Sequence, residues 1–497
     1  MPAKFTALLG DLLRYAKYAI KTANGISKDT YSHSADSPVY GTGQGSTASA
    51  TGWGKLVSLA LDLHDKQRFG SHYSDPEGTF ETIIGMLSYV DDNNISNNGK
   101  PHETIEEVIK RTQHDAQLWN DILKATGGTL NLLKCFFQVI WTVFSRAGAP
   151  VLAADHEAWH IDIEDKTDNT TERVNAISAY TPYKSLGTIQ GICKKQTDQF
   201  ECQLIKAKRL TCALACSGVS ATCALIHWNS VFIATIAYPL GVCHLNDTQL
   251  HNLQKKYIPV VLNKMGFQRT YAHAIVFGPQ SHGGIGGIDL RIEQGIMIIN
   301  EVMRTIRSPG HGQDILRIFL RTFQHASGLS KPLLEYPNAR APHLEGHYYV
   351  YLRNFIATHK IQLEFACVKR PTPEREGDHF IMDRACAKTE EELSDASIRT
   401  INYCRCYLQV HQLSDICTAD GNFILTSVLQ GHRSEGQSAS RLEEIIQERP
   451  ADSYWNVWRK FLHPLCHDKG NGKGNRLLHS LGPVSYTHLR AHETRLN

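Results

Sequence analysis

The spacing of apolar residues along the chain predicts short strands that alternate with longer helices. Residues 1–30 place apolar side chains near a 3.6-residue period, which predicts a helix. Residues 41–53 are rich in glycine and lead into a second predicted helix, whose apolar face includes Leu56, Ala60 and Leu63. The chain is therefore expected to begin with a helix, a glycine-rich loop and a second helix.

A segment that changes abruptly from apolar to acidic follows these helices. Residues 82–90 are largely apolar, and Asp91, Asp92 and Asn93 come directly after them. Because Asp and Asn tolerate turn dihedral angles that Val and Ile do not, two short β segments around a tight turn explain this pattern best. The sequence predicts that Asp91 and Asp92 lie at the tip of a β-hairpin.

A helix with a strong N-terminal signal comes next. Thr104 and Glu107 have the spacing of a capping box, and two glycines at 127–128 predict the end of the helix. Residues 130–144 are rich in β-forming side chains, and Lys134 lies at the entrance of the predicted strand. Strands on both sides of a helix indicate an α+β layer.

The remainder of the chain has few strands and many helices. Strands are predicted at 159–163 and 183–192, and helices dominate residues 197–327. A polar, acidic stretch at 370–397 predicts a boundary loop followed by a helix. Trp455 and Trp458 are expected to pack in a core rather than to stack on nucleic-acid bases.

Composition and charge narrow the class of protein. With 497 residues, 42% of them hydrophobic, the chain can bury a sizeable core, which excludes fibrous and wholly disordered proteins. A formal net charge of +3 excludes a polybasic protein, so any nucleic-acid contact must come from local patches. Thirteen scattered cysteines and the charged N-terminal residues predict an intracellular protein, in the nucleus or cytoplasm, with reduced thiols and no secretion signal.

Two segments suggest other kinds of site. Residues 210–246 carry no Asp, Glu, Lys or Arg, but their apolar run at 231–237 is too short to span a membrane, so buried helices and no membrane partner are predicted. The pattern Cys404-x-Cys406 followed by His411 and Cys417 offers zinc ligands. Its spacing is that of an amphipathic helix, which favours cysteines packed in a core.

The paired carboxylates are the strongest chemical signal. Two adjacent negative charges repel each other unless cations or water compensate, and an ordinary solvated turn is the simplest alternative. Phosphoryl-transfer enzymes compensate such pairs with two divalent metal ions. The context favours this chemistry, because a glycine-rich loop with Gln44 and Ser46 precedes Asp91 and Asp92, and Lys134 follows one helix later.

The order of these segments resembles a known family. The strings GTGQGSTAS, YVDD and, after a helix, GGTLNLLKC resemble motifs B, C and D of reverse transcriptases, most closely those of non-LTR retroelements. By this resemblance motif B contains Gly43, Gln44, Gly45 and Ser46, motif C contains Tyr89, Val90, Asp91 and Asp92, and motif D contains Asn131 and Lys134.

The resemblance implies a function and a set of roles. It implies an RNA-directed DNA polymerase of a retrotransposon, with an RNA template, a DNA primer and dNTPs as partners, and two Mg²⁺ ions that Mn²⁺ can replace. Asp91 would be the direct metal ligand, and Asp92 a more peripheral one. Lys134 would assist the departure of pyrophosphate. Gly43, Gln44, Gly45, Ser46, Tyr89 and Asn131 would contact the nucleotide or the template. The oligomeric state stays open.

The resemblance also implies a domain organisation. An α+β partial polymerase palm, of the right-hand fold, would occupy residues 1–150 and be followed by a mostly helical primer-grip, thumb and connection region at 151–330. A helical region of unknown role would occupy 331–483, and residues 484–497 resemble a translated sequencing adapter. No strand ending in an aspartate precedes Gly41, so a C-terminal fragment that lacks the fingers and motif A, and is inactive by itself, is expected.

Two alternatives remain from the sequence. An RNA-dependent RNA polymerase has the same palm and paired aspartates, although the Gly-x-Gly-Gln-Gly-Ser string favours the reverse transcriptase. A non-catalytic retroelement remnant would at most bind RNA or DNA through its helical C-terminal half. Comparing the incorporation of dNTPs with that of NTPs distinguishes an RNA-dependent RNA polymerase from a reverse transcriptase. Nucleic-acid binding without polymerisation identifies the non-catalytic remnant.

Overall fold

The structure is a computed structural model with mixed α+β secondary structure. It describes residues 17–22, 25–32, 47–89, 92–100, 103–126, 128–144, 150–153, 159–165, 169–191, 196–344, 348–365, 373, 375–433, 448–469 and 472–483.

The strands are short and form small sheets. Five of these sheets are two-stranded antiparallel pairs (β1–β2, β5–β6, β8–β9, β12–β13 and β14–β15), β3 and β4 form another two-stranded sheet, and a three-stranded sheet has the order β10-β11-β7. The strands are β1 Lys17–Thr22, β2 Gly25–Ser32, β3 Ser71–Ser74, β4 Glu81–Ile84, β5 Met86–Tyr89, β6 Asp92–Ile95, β7 Phe137–Gln138, β8 Thr142–Phe144, β9 Pro150–Leu152, β10 His160–Asp165, β11 Thr170–Ile177, β12 Tyr183–Ser185, β13 Thr188–Gln190, β14 Cys466–Lys469 and β15 Gly472–Leu477.

Helices dominate the second half of the chain, as the sequence predicts. They are α1 Thr47–Asp65, α2 Ile105–Ala125, α3 Thr197–Cys216, α4 Ala221–Ile226, α5 Ile233–Ala237, α6 Asp247–Gln254, α7 Tyr257–Lys264, α8 His273–Val276, α9 Leu290–Arg307, α10 His311–Ser327, α11 Tyr348–Thr358, α12 Ile381–Cys386, α13 Asp395–Leu408, α14 Thr426–Gln430 and α15 Asp452–Leu462.

The chain divides into two compact units. Unit 1 comprises the described residues within Met1–His72, Ile83–Phe137 and Ala158–Ala176. Unit 2 comprises those within Tyr73–Thr82, Gln138–Glu157 and Ile177–Asn497. The small core of unit 1 is formed by Ile161, Ile163 and Val174, against which side chains of α2 pack.

The predicted N-terminal helix is wrong for the residues that the structure describes. β1 and β2 form an antiparallel hairpin in which Thr22 pairs with Gly25. Gly25 is the first paired residue of β2, and its φ of 121° is a backbone conformation that favours glycine. This local feature outweighs the approximate helical period. Residues 1–16 lie outside the described residues.

The two best-signalled helices of unit 1 are confirmed. α1 follows the glycine-rich loop, and α2 begins at the Thr104 capping box: the Glu107 amide donates to Thr104 Oγ1, and the Thr104 amide donates to the Glu107 carboxylate. α2 ends at Ala125, and the Gly128 amide donates to the Leu123 carbonyl.

The core of unit 2 includes a helix with one wide turn. Between α4 and α5 residues His227–Phe232 form a π-helical segment, so the helical path continues from Ala221 to Gly241. Trp228 and Phe232 are fully buried, and a β-carbon at Gly287 would lie 2.3 Å from the Trp228 ring. This close approach requires glycine at 287.

The segment without charged residues, 210–246, is helical, as predicted. After the end of α3, one continuous helical stretch runs from Ala221 to Gly241. By length and composition Ala221–Gly241 meets the criterion for a membrane span, with a mean hydropathy of 1.3 in its most apolar window. Of that window 44% is buried inside the structure. A core helix of a folded domain meets the same criterion.

The predicted core tryptophans are confirmed. Trp455 and Trp458 are fully buried on α15 and pack edge to face, with ring centroids 6.5 Å apart. Cys404 and Cys406 lie buried on α13, and Cys404 and Cys417 belong to the same core cluster as the two tryptophans. These cysteines therefore contribute to packing.

Candidate functional site

The β5–β6 hairpin carries the YVDD segment. The two strands are antiparallel and in register, and Tyr89 pairs with Asp92 as the last pair before the turn. The prediction of two short paired β segments is confirmed. The sequence placed both aspartates in the turn, whereas Asp92 is the first residue of β6. Val90 and Asp91 connect the strands and lie outside the described residues.

One face of this hairpin is exposed. Successive side chains of a strand point to opposite faces, and cross-strand partners share a face. Leu87, Tyr89, Asp92 and Asn94 are all exposed, with 63% of the Tyr89 surface accessible, whereas the alternating residues are half-buried. The Tyr89 ring and the Asp92 carboxylate therefore lie side by side on an accessible surface.

A buried carboxylate on α2 holds the base of the hairpin. Asp115 is fully buried and accepts hydrogen bonds from the Phe69 amide (3.0 Å), the Gly70 amide (3.1 Å) and the Asn97 side-chain amide (3.1 Å). Asn97 follows β6, and the Ser96 amide donates to the Gly85 carbonyl at 3.0 Å, closing the hairpin at its base. Asp115 thus connects the segment after α1 to the strand that carries Asp92.

His64 supports the same arrangement from α1. Its Nε2 donates to the Asp115 carbonyl at 3.0 Å, and its ring meets Trp119 edge to face with centroids 5.8 Å apart. Burial lowers the pKa of His64, outweighing the opposite effect of the Asp115 carbonyl. His64 is therefore a neutral, structural histidine near pH 7.

The sequence analysis missed Asp115. The sequence feature that could have identified it is an acidic residue on the apolar face of α2, between Thr112 and Trp119. An acid on such a face needs hydrogen-bond donors, which Phe69, Gly70 and Asn97 supply.

Asn131 and Lys134 lie at a 3-10 turn. Residues Leu132–Lys134 form a short 3-10 helix, and the Lys134 amide donates to the Asn131 carbonyl at 2.9 Å. Lys134 was expected at the entrance of a strand, but the next strand, β7, starts only at Phe137, because the 3-10 turn occupies the entrance. Both Asn131 and Lys134 are exposed. Within the described part of unit 1, no hydrogen bond or ion pair joins Lys134 to Asp92.

The remaining predicted site residues fall outside the described residues. These are Gly43, Gln44, Gly45 and Ser46 of the glycine-rich loop, and Asp91 of the hairpin turn. The helix α1 begins at Thr47, the residue after Ser46 in the sequence. Of the predicted residues the structure brings together only Tyr89 with Asp92, and Asn131 with Lys134, among those it describes.

The chemistry of Asp92 fits a hard divalent cation. Carboxylate oxygens are the ligands that Mg²⁺ prefers, and a hydrated ion needs an accessible site. Asp92 is exposed, and its side chain forms no ion pair with any residue that the structure describes. Across the same described ranges, no group of three or more His, Cys, Asp or Glu side chains could hold a metal ion.

No family model, curated protein or solved structure matches this chain.

Proposed function

We propose that this chain belongs to an RNA-directed DNA polymerase of a non-LTR retroelement, with the β5–β6 hairpin as the catalytic hairpin of a partial polymerase palm. One observation carries the proposal: the strand register makes Tyr89 and Asp92 the last described pair of the β5–β6 hairpin, and Asp91 directly precedes Asp92 in the sequence. This register supports a role for the YVDD string as a catalytic turn.

The exposed face of the hairpin supports the same function. A polymerase must bring a primer end to its carboxylates, so the face that carries them must be open. Leu87, Tyr89 and Asp92 form such a face, whereas the opposite side chains are half-buried. The Tyr89 ring offers an aromatic surface to the sugar or base beside the carboxylate.

Each residue would have a separate role. Two Mg²⁺ ions held by Asp91 and Asp92 would lower the pKa of the attacking primer hydroxyl and stabilise the leaving oxygen. Asp91 would be the direct ligand and Asp92 a peripheral one. Lys134 would offer a cation to the departing pyrophosphate, and its exposed position in the 3-10 turn leaves it accessible to a ligand. Gln44 and Gly45 would shape the nucleotide pocket.

Metal titration tests the proposal on the chain itself. We expect electron paramagnetic resonance to detect bound Mn²⁺ that Mg²⁺ displaces. Asp91→Asn or Asp92→Asn should weaken Mn²⁺ binding about tenfold or more, since even indirect metal contacts are worth about that much. Glu106→Gln is the matched control, because it removes an exposed carboxylate from α2 in the same unit.

Nucleotide choice completes the test. A photoreactive dNTP should cross-link to the hairpin only in the presence of Mn²⁺ or Mg²⁺, and unlabelled dNTP should compete better than the matching NTP. Better competition by the NTP would favour an RNA-dependent RNA polymerase. Mn²⁺ binding that is unchanged in both Asp variants would contradict the polymerase proposal.

A further inference from the structure

Unit 2 contains a cavity, formed by three helices, that the proposed polymerase chemistry does not use. The cavity has a volume of about 240 Å³. Its lining includes Glu301 and Thr305 of α9, Ile315 and Phe319 of α10, and Tyr348 and Tyr349 of α11. This volume lies below the range of sites for drug-sized ligands, so a single side chain or small head group is a suitable occupant.

Aromatic rings from two helices line this cavity. Tyr348 and Tyr349 begin α11, and their ring centroids lie 5.4 Å apart with the ring planes at 87°. Phe319 lines the cavity from α10, and 45% of its surface is exposed. An aromatic ring attracts a cation to its face, and three rings at one cavity can attract the same cation.

The two tyrosine rings are held in place by the fold. The Tyr348 hydroxyl donates to the Gly241 carbonyl at 2.8 Å, and the Tyr349 ring packs against Phe323 with centroids 5.9 Å apart. Burial raises the pKa of Tyr349 to about 12, so its hydroxyl is neutral at pH 7. Both rings are therefore positioned before a ligand binds, which lowers the entropy lost on binding.

The cavity carries one charge, and it is negative. Among the residues that the structure describes, Glu301 is the one charged side chain in the lining. Burial, Tyr349 and the Glu301 charge together raise the pKa of Tyr348, which shows that the carboxylate lies near that ring. The lining therefore combines aromatic rings with a carboxylate, and both attract a cation.

Glu301 has an ion-pair partner outside the cavity. Arg304 Nη2 donates to Glu301 Oε2 at 2.6 Å, but 74% of the Arg304 side chain is exposed, and such exposed pairs contribute little. The other carboxylate oxygen, Oε1, accepts no hydrogen bond from the described residues. Glu301 can therefore also attract a cation that enters the cavity.

We propose that this cavity binds a methylated ammonium group, that of a trimethylated lysine side chain, against the Phe319, Tyr348 and Tyr349 rings and beside the Glu301 carboxylate. A trimethylated ammonium has no N–H group, so it can leave water without losing a hydrogen bond. Rings arranged around such a group recognise it by cation–π attraction. The proposal uses no residue of the β5–β6 hairpin, so it does not depend on the polymerase proposal.

The lining favours a lysine side chain over a lipid head group. The apolar stem of lysine matches Ile315 and Val302, which also line the cavity. A lipid choline carries a phosphate close to its ammonium, and the Glu301 carboxylate would repel that phosphate.

Saturation-transfer NMR with capped trimethyllysine tests the role of the positive charge. The wild-type chain should bind this probe. The neutral isostere, in which a tert-butyl group replaces the trimethylammonium, should bind about fivefold more weakly or worse, because it has the same shape but no cation–π attraction. Equal binding of the two probes would overturn the proposal and identify an ordinary apolar cavity.

Substitutions at the lining test the assigned contacts. Phe319→Leu, which keeps an apolar side chain but loses the ring, should weaken trimethyllysine binding about fivefold, whereas Phe319→Tyr should retain it. Because Phe319 is exposed, neither change should disturb the core, and circular dichroism checks this. Equal binding by these two variants would contradict a cation–π contact.

Two neighbouring charges test the role of Glu301. Glu301→Gln should weaken binding about fivefold, and Glu293→Gln on the same helix, outside the lining, is the matched control. Arg304→Gln should tighten binding by about twofold, because it removes the cation that competes for Glu301. Weaker binding by Arg304→Gln, or unchanged binding by Glu301→Gln, would contradict this role.

Two further results would overturn the proposal: no trimethyllysine binding by the wild-type chain, or tighter binding of phosphocholine than of trimethyllysine. The second result would assign the cavity to a choline head group instead of a lysine side chain. Asp91→Asn and Asp92→Asn should leave trimethyllysine binding unchanged, so the polymerase proposal and this cavity can fail separately.

Discussion

The β5–β6 hairpin of unit 1 and the helical core of unit 2 use polar residues in opposite ways. On the hairpin Tyr89 and Asp92 are exposed, and the buried carboxylate of Asp115 only positions them. In unit 2 the fully buried Arg405 donates to Asn402 Oδ1 and to the Ala326 carbonyl, and no carboxylate pairs with it among the described residues. The candidate catalytic residues therefore lie on an accessible hairpin that neighbouring residues hold in place. Most of the folding stability is expected to come from the large apolar clusters.

The apolar clusters of the two units differ in size. Unit 1 buries Trp119 and the small cluster Ile161, Ile163 and Val174, whereas unit 2 buries Trp228, Trp455 and many other large side chains completely. Buried apolar area is the main favourable term in folding. Substitutions in unit 2 should therefore cost more stability, and substitutions at the hairpin should cost more function.

The largest effect is expected at Trp228. Trp228→Ala should lower the free energy of unfolding by about 4 kcal/mol, because it removes a fully buried ring and leaves a cavity beside Gly287. Urea denaturation followed by circular dichroism measures this loss. Trp228→Phe, which keeps part of the volume, should cost less, and a loss below about 1 kcal/mol in the alanine variant would contradict the assignment of stability to this core.

The next effect is expected at Asp115. Asp115→Ala should destabilise unit 1 by about 3 kcal/mol, because the Phe69 and Gly70 amides and the Asn97 side chain lose their acceptor. Hydrogen exchange should rise in residues 85–97. Glu106→Ala on the same helix is exposed and should cost at most about 1 kcal/mol. Unchanged exchange in the hairpin would show that Asp115 does not hold it.

A pH-dependent effect is expected at Asp75 in unit 2. Burial raises the pKa of Asp75, but hydrogen bonds from Thr79, Arg321 and two backbone amides outweigh it, so the pKa lies below its ordinary value of 3.8. A carboxyl with a lowered pKa stabilises the fold above its unfolded pKa and loses that contribution as the pH falls through the folded one. Stability should therefore fall below about pH 4.

Asp75→Ala measures the size of this contribution. It should cost about 2 kcal/mol at pH 7 and remove part of the loss below pH 4, because the Arg321 guanidinium and Thr79 Oγ1 both lose their acceptor. Thermal unfolding of both proteins between pH 2 and pH 7 supplies the comparison. Identical pH profiles would exclude Asp75 as the titrating group.

The smallest effect is expected in the core of unit 1. Ile163 is almost completely buried, and Ile163→Val should cost about 1 kcal/mol. The same conservative change at Ile236 in the unit 2 core is the matched comparison, because that residue is also fully buried. Hydrogen exchange, followed separately in each unit, measures the stability lost in both variants. A larger loss for Ile163→Val than for Ile236→Val would contradict the assignment of more stability to the core of unit 2.

Local signals in the sequence predicted local structure well. The Thr104–Glu107 capping box and the apolar-to-acidic change before Asp91 depend only on residues within a few positions, and both elements are confirmed. Residues 17–30 were predicted as part of a helix from their approximate apolar period, whereas Lys17–Thr22 and Gly25–Ser32 pair as antiparallel strands. Gly25, whose φ of 121° favours glycine, is the local feature that the period did not reveal.

Long-range contacts could not be predicted in the same way. Asp115 accepts from Phe69, which lies 46 residues earlier, and Asp75 pairs with Arg321, which lies 246 residues later. Nothing in the pattern of either segment indicates its partner, because hydrogen bonding at such separations depends on the tertiary fold. The candidate hairpin was therefore predictable, whereas the residue that positions it was not.

Iron-directed backbone cleavage is the measurement that tests the central claim most directly. Fe²⁺ that occupies an Mg²⁺ site cuts the nearby backbone in the presence of ascorbate and peroxide, and mass spectrometry locates the cuts. The account predicts cleavage within residues 86–95 that Mg²⁺ suppresses and that Asp91→Asn combined with Asp92→Asn abolishes, with Glu106→Gln unchanged. Cleavage elsewhere in the chain, or cleavage of the hairpin that survives the double substitution, would contradict a metal-binding catalytic hairpin.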